Sequence, residues 1–148
     1  MKLVRTTSDN LDFQQLVVAL DAYLRIVDGD DHAFYAQFNK TDSLSNVLVC
    51  YDQEVAIGCG AFKAYDSQTV EIKRMYTLPE YRGIGVAKNI MAALEEWAKE
   101  EKYSVSILET GYLQKDAIAL YTKIGYEVME NFGQYEGIST SVCMQKTI

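Results

Sequence analysis

The sequence has little histidine and little proline, with one residue of each in 148. A single histidine excludes a zinc site built on two or more imidazoles, and we expect no resident metal. One proline among 49% hydrophobic and 24% charged residues is typical of a folded globular chain and not of a disordered one. At this length a single domain, residues 1–148, can bury a core without disulfides or a structural metal.

The chain also lacks long apolar runs, and its cysteines are odd in number. No stretch approaches membrane-spanning length, and MKLVRTTSDN at the N-terminus has no apolar signal region, so we expect no membrane association. Cys50, Cys59 and Cys143 each lie in an apolar or alternating stretch. They are interpreted as reduced, buried strand residues of a cytoplasmic protein, and not as disulfides or nucleophiles.

Positive charge is scarce: 14 Lys and Arg residues stand against 21 Asp and Glu residues, giving a formal net charge of −7. General nucleic-acid binding needs a surplus of basic residues, so no nucleic acid is expected as a partner. The acidic balance is compatible with a cationic or amine substrate, because acidic clefts concentrate cations. A solvated acidic surface would produce the same composition.

Hydrophobic periodicity divides the chain into helical and strand-like segments. Apolar side chains recur at helical spacing over 11–27, 83–102 and 115–124, and AFYAQFN, within 33–39, is predicted as a short additional helix. The strand-like segments are 2–6, 46–52, 55–65, 69–78, 104–110, 126–130 and 139–146. The predicted order is β-α-α-β-β-β-α-β-α-β-β, which indicates an α/β (α+β) domain with a mixed sheet.

The stretch PEYRGIGVAKNIM, residues 79–91, places two glycines between a predicted strand and a predicted helix. Arg82 precedes the glycines, Lys88 follows them, and the first helical turn contains no acid. A helix N-terminus carries partial positive charge, so acids are favoured there unless a bound anion takes their place. The stretch is therefore either a sharp structural turn or a backbone cradle for phosphate. It matches neither GxGxxG nor the P-loop pattern, but it does match RxxGxA.

Two motifs carry a resemblance to a known family. With the strand before it, VEIKRMYTLPEYRGIGVAKNIM resembles the acetyl-coenzyme A motif of the GNAT superfamily of N-acetyltransferases. QKDAIALYTKIGYE, residues 114–127, is similar to the second cofactor motif of that family, and the two occur in the family's order. The resemblance implies a GNAT-like fold, in which helices flank a mixed, mostly antiparallel central sheet. It also implies acetyl-CoA as a cosubstrate.

The resemblance further implies which residues hold the cofactor. Main-chain groups on the strand would pair with the pantetheine arm as an added strand does; they belong to Met75, Tyr76 and Thr77. The turn and the start of the helix would bind the pyrophosphate, through Arg82 and the backbone N–H groups of Gly83, Gly85, Val86, Ala87 and Lys88. Gln114 replaces the shorter Asn that usually contacts the arm in this family.

Two residues are candidates for the chemistry of acetyl transfer. Tyr121 stands where the resemblance places a tyrosine that protonates the departing thiolate, and a phenol of pKa about 10 stays protonated at neutral pH. The alternative is a helix tyrosine that only packs against the sheet. Glu71 matches the general base of histone-type family members. Its alternatives are a surface glutamate paired with Lys73 or a cross-strand cation, or a proton relay through water or other residues.

Side-chain alternation predicts the two faces of the strand at 69–78. The predicted members of these faces are Glu71, Lys73 and Met75 on one, and Ile72, Arg74 and Tyr76 on the other. If the first face lines the cleft, Glu71 can accept a proton from the acceptor.

Residues outside the two motifs supply the candidate acceptor pocket. His32, in DGDDHAFY, lies in a region that lines the acceptor side in the family; an exposed loop histidine is the alternative. Phe132 and Tyr135 belong to the loop NFGQYEGIS and either wall the pocket or cover the sheet edge. Asp28, Asp30 and Asp31 could attract a cationic acceptor, but they are interpreted as a solvated turn.

The residues and the resemblance together predict an N-acetyltransferase that moves an acetyl group from acetyl-CoA to a primary amine, by direct transfer in a ternary complex. The acceptor is left open among small molecules, peptides and protein lysines, and so is a homodimer. The alternative from another class is a non-catalytic acyl-CoA-binding or protein-interaction module on the same fold.

Overall fold

The computed structural model describes residues 1–29 and 43–148. The strands are β1 (Lys2–Thr6), β2 (Asn46–Asp52), β3 (Val55–Ala64), β4 (Thr69–Thr77), β5 (Val105–Gly111), β6 (Glu127–Met129) and β7 (Ser141–Thr147). The helices are α1 (Leu11–Asp28), α2 (Val86–Glu100) and α3 (Lys115–Lys123), with short 3-10 turns at Pro79–Tyr81 and Gly133–Tyr135. The predicted order of elements is confirmed, while the additional helix expected at 33–39 lies outside the described residues.

The seven strands form one sheet in the order β1-β2-β3-β4-β5-β7-β6. Neighbouring strands are antiparallel except for β4 and β5, which are parallel. This confirms the mixed, mostly antiparallel sheet. The parallel pair joins two antiparallel halves, β1 to β4 and β5 to β7, and the site lies at their junction.

Helices cover both faces of the sheet. The buried positions of α1 recur every three or four residues, at Phe13, Leu16, Val17, Leu20 and Leu24. Asn10 starts this helix, because its Oδ1 accepts a hydrogen bond from the Phe13 N–H at 2.9 Å. On the opposite face α2 and α3 pack onto the larger apolar cluster, which includes Ile90, Met91, Leu94 and Tyr121.

An irregularity in β4 changes which side chains share a face. The register with β3 shifts between Cys59 and Ala61, so that Arg74 and Met75 stand opposite the single residue Gly60. Arg74 has a φ of +58°, a left-handed conformation that is uncommon outside glycine. This is a β-bulge, in which two residues of one strand oppose one residue of its partner.

The bulge overturns the predicted faces beyond Lys73. Met75 packs into the apolar cluster under α2, on the face of Ile72. Arg74 and Tyr76 lie on the other face, toward α1: Arg74 Nη2 is 2.7 Å from Asp21 Oδ1, and Tyr76 packs into the cluster that contains the buried residues of α1. The alternation was wrong here because one extra residue reverses the parity of every position after it.

Gly60→Ala is expected to lower the free energy of unfolding by about 1–3 kcal/mol. A Cβ there would collide with Met75 Sδ and lie only 2.9 Å from Ile90 Cγ2 and 3.1 Å from Leu94 Cδ1. Urea unfolding measures the change. Gly111→Ala is the matched control, because a Cβ at that strand position meets nothing closer than 3.5 Å. Equal losses in both variants would contradict the close approach of α2 to the bulge.

Other expectations concern thiols, membranes and metals. Cys50, Cys59 and Cys143 are free and buried in β2, β3 and β7, as predicted. None of the described helices is long and apolar enough to cross a membrane. Within 1–29 and 43–148, no group of three or more His, Cys, Asp or Glu side chains is arranged so that it could hold a metal ion.

Candidate active site

The parallel strands β4 and β5 are paired over a short stretch and then separate. The pairing runs from Thr69 opposite Val105 to Glu71 opposite Ile107, although β4 continues to 77 and β5 to 111. A cavity of about 90 Å³ lies in the gap, lined by residues 71–75 of β4, residues 108–111 of β5 and side chains from α1 and α3. One small chamber is therefore lined by side chains from both faces of the sheet.

Two carboxylates, Glu71 and Glu109, reach the cavity from the face covered by α1. Glu71 lies opposite Ile107, and Glu109, two positions further along β5, shares that face because side chains alternate. Glu71 is 4% exposed, and its Oε2 is 2.9 Å from Lys73 Nζ. The sequence-predicted Glu71 thus lines the cavity as half of an ion pair, beside a second carboxylate.

Glu109 has the electrostatic properties of a proton acceptor. Burial raises its pKa from 4.5 to about 7, although a hydrogen bond with Ser141 and the Lys73 ammonium act to lower it. The negative charges of Asp28 and Glu71 raise it further. A carboxyl group with a pKa near 7 can both take up and release a proton at neutral pH.

Tyr121 lines the same cavity from α3, on the opposite face of the sheet. Burial raises its pKa to about 12. Its ring packs edge-to-face on Tyr126 with 6.0 Å between the ring centroids. The Tyr126 hydroxyl donates to Glu95 at 3.0 Å and lies 2.8 Å from Ser106 Oγ. Tyr121 is therefore protonated at neutral pH, against a neighbour that this network holds in place.

The glycine turn at 83–85 opens α2 without a cap. Gly83 and Gly85 have φ of +80° and +92°, so both positions require glycine for backbone conformation. No side chain caps the helix and its first turn contains no acid. A Cβ at either glycine would meet no atom within 4 Å. The helix thus begins with uncapped N–H groups at its positive end, and nothing crowds the two glycines, which fits a phosphate-bearing cofactor.

Arg82 is held in place beside this turn. Its Nε donates to the Thr77 carbonyl at 2.9 Å. Its guanidinium lies over the rings of Tyr23 and Tyr76, 5.2 Å and 5.6 Å from their centroids. These contacts join the turn before α2 to the end of β4 and to α1, at the place where the sequence predicts the cofactor.

Of the remaining residues that the sequence predicts for the site, some line the cavity and one packs against a residue that does. Met75, Gln114 and Tyr135 line the cavity. Phe132 does not line it but packs edge-to-face on Tyr135, with 5.7 Å between centroids. His32 lies outside the described residues.

The residues that sequence reasoning missed are Glu109 and Arg74, and it misplaced Asp28. All three line the cavity, so Asp28 is not a residue of a merely solvated turn. Glu109 carried a usable signal, since it is an acid inside the apolar strand segment SILET. Arg74 carried none, because the bulge that turns it toward α1 has no signature in the sequence.

The fold is shared with solved structures of acyltransferases. A proposed acyl-CoA N-acyltransferase from Klebsiella pneumoniae subsp. pneumoniae MGH 78578 matches with a TM-score of 0.83 and 31% identity, over 99% of this chain and 96% of that one. A GNAT family acetyltransferase from Elizabethkingia anophelis, with acetyl-CoA bound, has a TM-score of 0.69 at 16% identity, over 99% and 97% of the two chains. Together with the uncapped helix and the split sheet, this places the protein among the acyl-CoA-dependent transferases.

The Acetyltransferase (GNAT) family model matches residues 13–126, and the chain belongs to that family. An IAA acetyltransferase of Azospirillum brasilense is 32% identical over 143 residues, which cover 90% of this chain and 89% of that protein. N-acetyltransferase 8 of Homo sapiens is 30% identical over 84 residues, 53% of this chain and 37% of that protein. The protein is an N-acetyltransferase that uses acetyl-CoA, and the resemblance seen in its two motifs is confirmed.

Proposed function

We propose that this single-domain enzyme acetylates a primary amine by direct transfer in a ternary complex. The observation that carries the proposal is the arrangement of Glu109 and Tyr121. A carboxyl group with a pKa of about 7 and a phenol with a pKa of about 12 line one cavity from opposite faces of the sheet. An acceptor amine and a departing thiolate need these two proton-transfer partners.

Acetyl-CoA supplies the acetyl group as a thioester. The residues that would hold it are the main-chain groups of 75–77, Arg82, the N–H groups of 83 and 85–88, and Gln114, which is the N-cap of α3 and lines the cavity. The open gap between β4 and β5 admits an extended chain, which would pair with the exposed edge of β4.

Each proton in the proposed reaction has a donor and an acceptor. The acceptor's ammonium loses one proton to Glu109, which passes it to solvent. A bond then forms between the nitrogen and the acetyl carbon as the carbon–sulfur bond breaks. Tyr121 gives its proton to the thiolate, and the second nitrogen proton, lost as the amide forms, restores the phenol.

The base remains a choice between two carboxylates. Glu109 is proposed for the role because its pKa of about 7 matches neutral conditions. Glu71 is the alternative; its ion pair with Lys73 at 2.9 Å occupies one of its oxygens. In the proposed arrangement Glu71 contributes through its charge, which raises the pKa of Glu109.

Direct transfer is favoured over an acetyl-cysteine route by the state of the thiols. Burial raises the pKa of Cys59 to about 12 and that of Cys143 to about 11. None of the three described cysteines lines the cavity. Thiols that stay protonated are poor nucleophiles. Free thiols also support the proposed cytoplasmic location.

Acetyl-CoA at about 100 times its Kd is expected to stabilise the folded protein by about 2.7 kcal/mol. For a chain of this size the corresponding rise in Tm is about 5–10 °C. Gly85→Ala is expected to lose most of this shift, because its φ of +92° is strained for alanine. Differential scanning fluorimetry checks both, with free ADP as a ligand control. Equal shifts in the two proteins would contradict the role of the turn.

The transfer itself is tested by release of free CoA thiol. The purified enzyme is mixed with acetyl-CoA and a panel of primary amines, each with a reaction lacking the amine. Thiol released only when an amine is present supports the proposal. Binding of acetyl-CoA without amine-dependent release across the panel would contradict it.

A further inference from the structure

Two buried side-chain atoms have no hydrogen-bond partner within the described chain: Arg74 Nε, a donor, and Glu109 Oε2, an acceptor. Both residues line the cavity. Buried polar groups are nearly always paired, because an unpaired one costs free energy. Two unpaired atoms of opposite character in one cavity indicate a ligand that carries both an acceptor and a donor.

The conformation of Arg74 costs the folded protein free energy. Its side chain is 3% exposed, and its backbone has a φ of +58°. Strained backbone at a buried charged residue is typical of functional sites. Its Nη2 is paired with Asp21 at 2.7 Å, which leaves the Nε–H for another acceptor. A guanidinium holds a carboxylate through paired N–H groups, and Nε–H is one of those donors.

Of the two cations that line the cavity, Arg74 is better placed to bind a carboxylate. Lys73 is already paired with Glu71 at 2.9 Å. Asp28, Glu71 and Glu109 outnumber the two cations, so the chamber also suits an ammonium group. Its volume of about 90 Å³ is several times the room that one bound water molecule needs. This is room for a small polar head group.

We propose that the acceptor is a free amino acid, whose carboxylate binds the Arg74 guanidinium and whose amine faces Glu109. The proposal rests on the proposed function, amine acetylation, and narrows its substrate class. A peptide N-terminus, a protein lysine and a simple alkylamine each lack a carboxylate beside the reacting amine.

The test compares the free amino acids with their amides as acceptors. The amide keeps the amine and the size of the molecule but lacks the negative charge. By release of CoA thiol, kcat/KM is expected to be about 100-fold or more higher for the preferred acid than for its amide, because a site built to pair a charge rejects the analogue that lacks it. A second readout is the rise in Tm that the acid or the amide gives in the presence of free CoA.

Variants of Arg74 test whether this residue causes the preference for the acid over its amide. Arg74→Lys keeps the charge but loses Nε, and is expected to raise KM for the acid at least 10-fold, so that the preference for the acid over the amide falls. Arg74→Met should abolish the preference for the acid. Arg5→Met is the control: Arg5 forms an exposed ion pair with Glu100 and does not line the cavity, so its variant should keep that preference. The shift in Tm with acetyl-CoA shows that each variant is folded.

The outcomes distinguish the amino acid assignment from amine acetylation, the proposed function on which it rests. If acids and amides react alike, or if the preference survives Arg74→Lys and Arg74→Met, the amino acid assignment is overturned while amine acetylation stands. If neither acids, amides nor simple alkylamines release thiol, both proposals are overturned. A preference for the acid that is lost with Arg74 supports both.

Discussion

Tyr121→Phe is expected to lower kcat by about 100- to 1,000-fold, which is within the contribution of a positioned general acid. The variant removes a hydroxyl whose pKa of about 12 keeps it protonated at neutral pH. The aromatic ring and its packing at 6.0 Å on Tyr126 are retained. The Kd for acetyl-CoA should therefore be unchanged. Steady-state release of CoA thiol and a titration with acetyl-CoA measure the two quantities.

Tyr103→Phe is the matched control for this loss. Tyr103 packs edge-to-face on Phe62, 6.3 Å between centroids, and does not line the cavity. Its variant should keep kcat within about twofold, since surface and peripheral changes away from the reacting atoms have small effects. A Tyr121→Phe enzyme with unaltered kcat would remove Tyr121 from the mechanism.

Glu109→Gln is expected to reduce kcat/KM by about 100-fold at pH 8 and to abolish its dependence on a group with a pKa near 7. In the parent enzyme the carboxylate form is the active base. Because the pKa of Glu109 is about 7, kcat/KM should rise as the pH passes through 7. The pH profile of kcat/KM from pH 5.5 to 9 measures both effects.

Glu71→Gln distinguishes the two carboxylates. Removing the charge of Glu71 removes one of the causes that raise the pKa of Glu109. Its profile should therefore keep the rise but move it to lower pH. A profile that loses the rise in Glu71→Gln and keeps it in Glu109→Gln would reverse the assignment.

The same Glu109 variant should change stability with a definite sign. The carboxyl group has a pKa of 4.5 when unfolded and about 7 when folded, so the folded state is penalised as pH rises between those values. The penalty is absent well below pH 4.5 and reaches about 3 kcal/mol above pH 7. Glu109→Gln should thus have the higher Tm at pH 8 and no such advantage at pH 4. A constant difference would contradict the burial of an ionised Glu109.

The parts of the fold that depend on local sequence were predictable. Helix and strand order followed from the spacing of apolar residues, and the glycine turn from two residues that adopt positive φ. Tyr121 and the glycine turn could be predicted as site residues because each lies in a contiguous motif. The helix start was placed three residues early, because the prediction counted Gly83 to Gly85 as helix although both glycines have positive φ and α2 begins at Val86.

The parts that depend on tertiary register were not predictable. The bulge at 74–75 exists because Gly60 leaves room for Met75 under α2, a condition set by two strands and a helix together. Glu109 becomes a site residue only because β5 pairs in parallel with β4 at Glu71 and Ile107. A single sequence does not state which strands become neighbours, so the carboxylate pair could not be assembled from it.

The short join between β4 and β5 has a mechanical consequence. Seven residue pairs connect β5 to β7, but only three connect β4 to β5. The two antiparallel halves of the sheet are therefore joined over a short stretch at one end of β4. An extended ligand bound in the gap between β4 and β5 contacts both halves of the sheet and holds them together. A ligand that makes the sheet more rigid lowers its conformational entropy, and this loss reduces the affinity of the ligand. The affinity of the site and the rigidity of the whole sheet are therefore coupled.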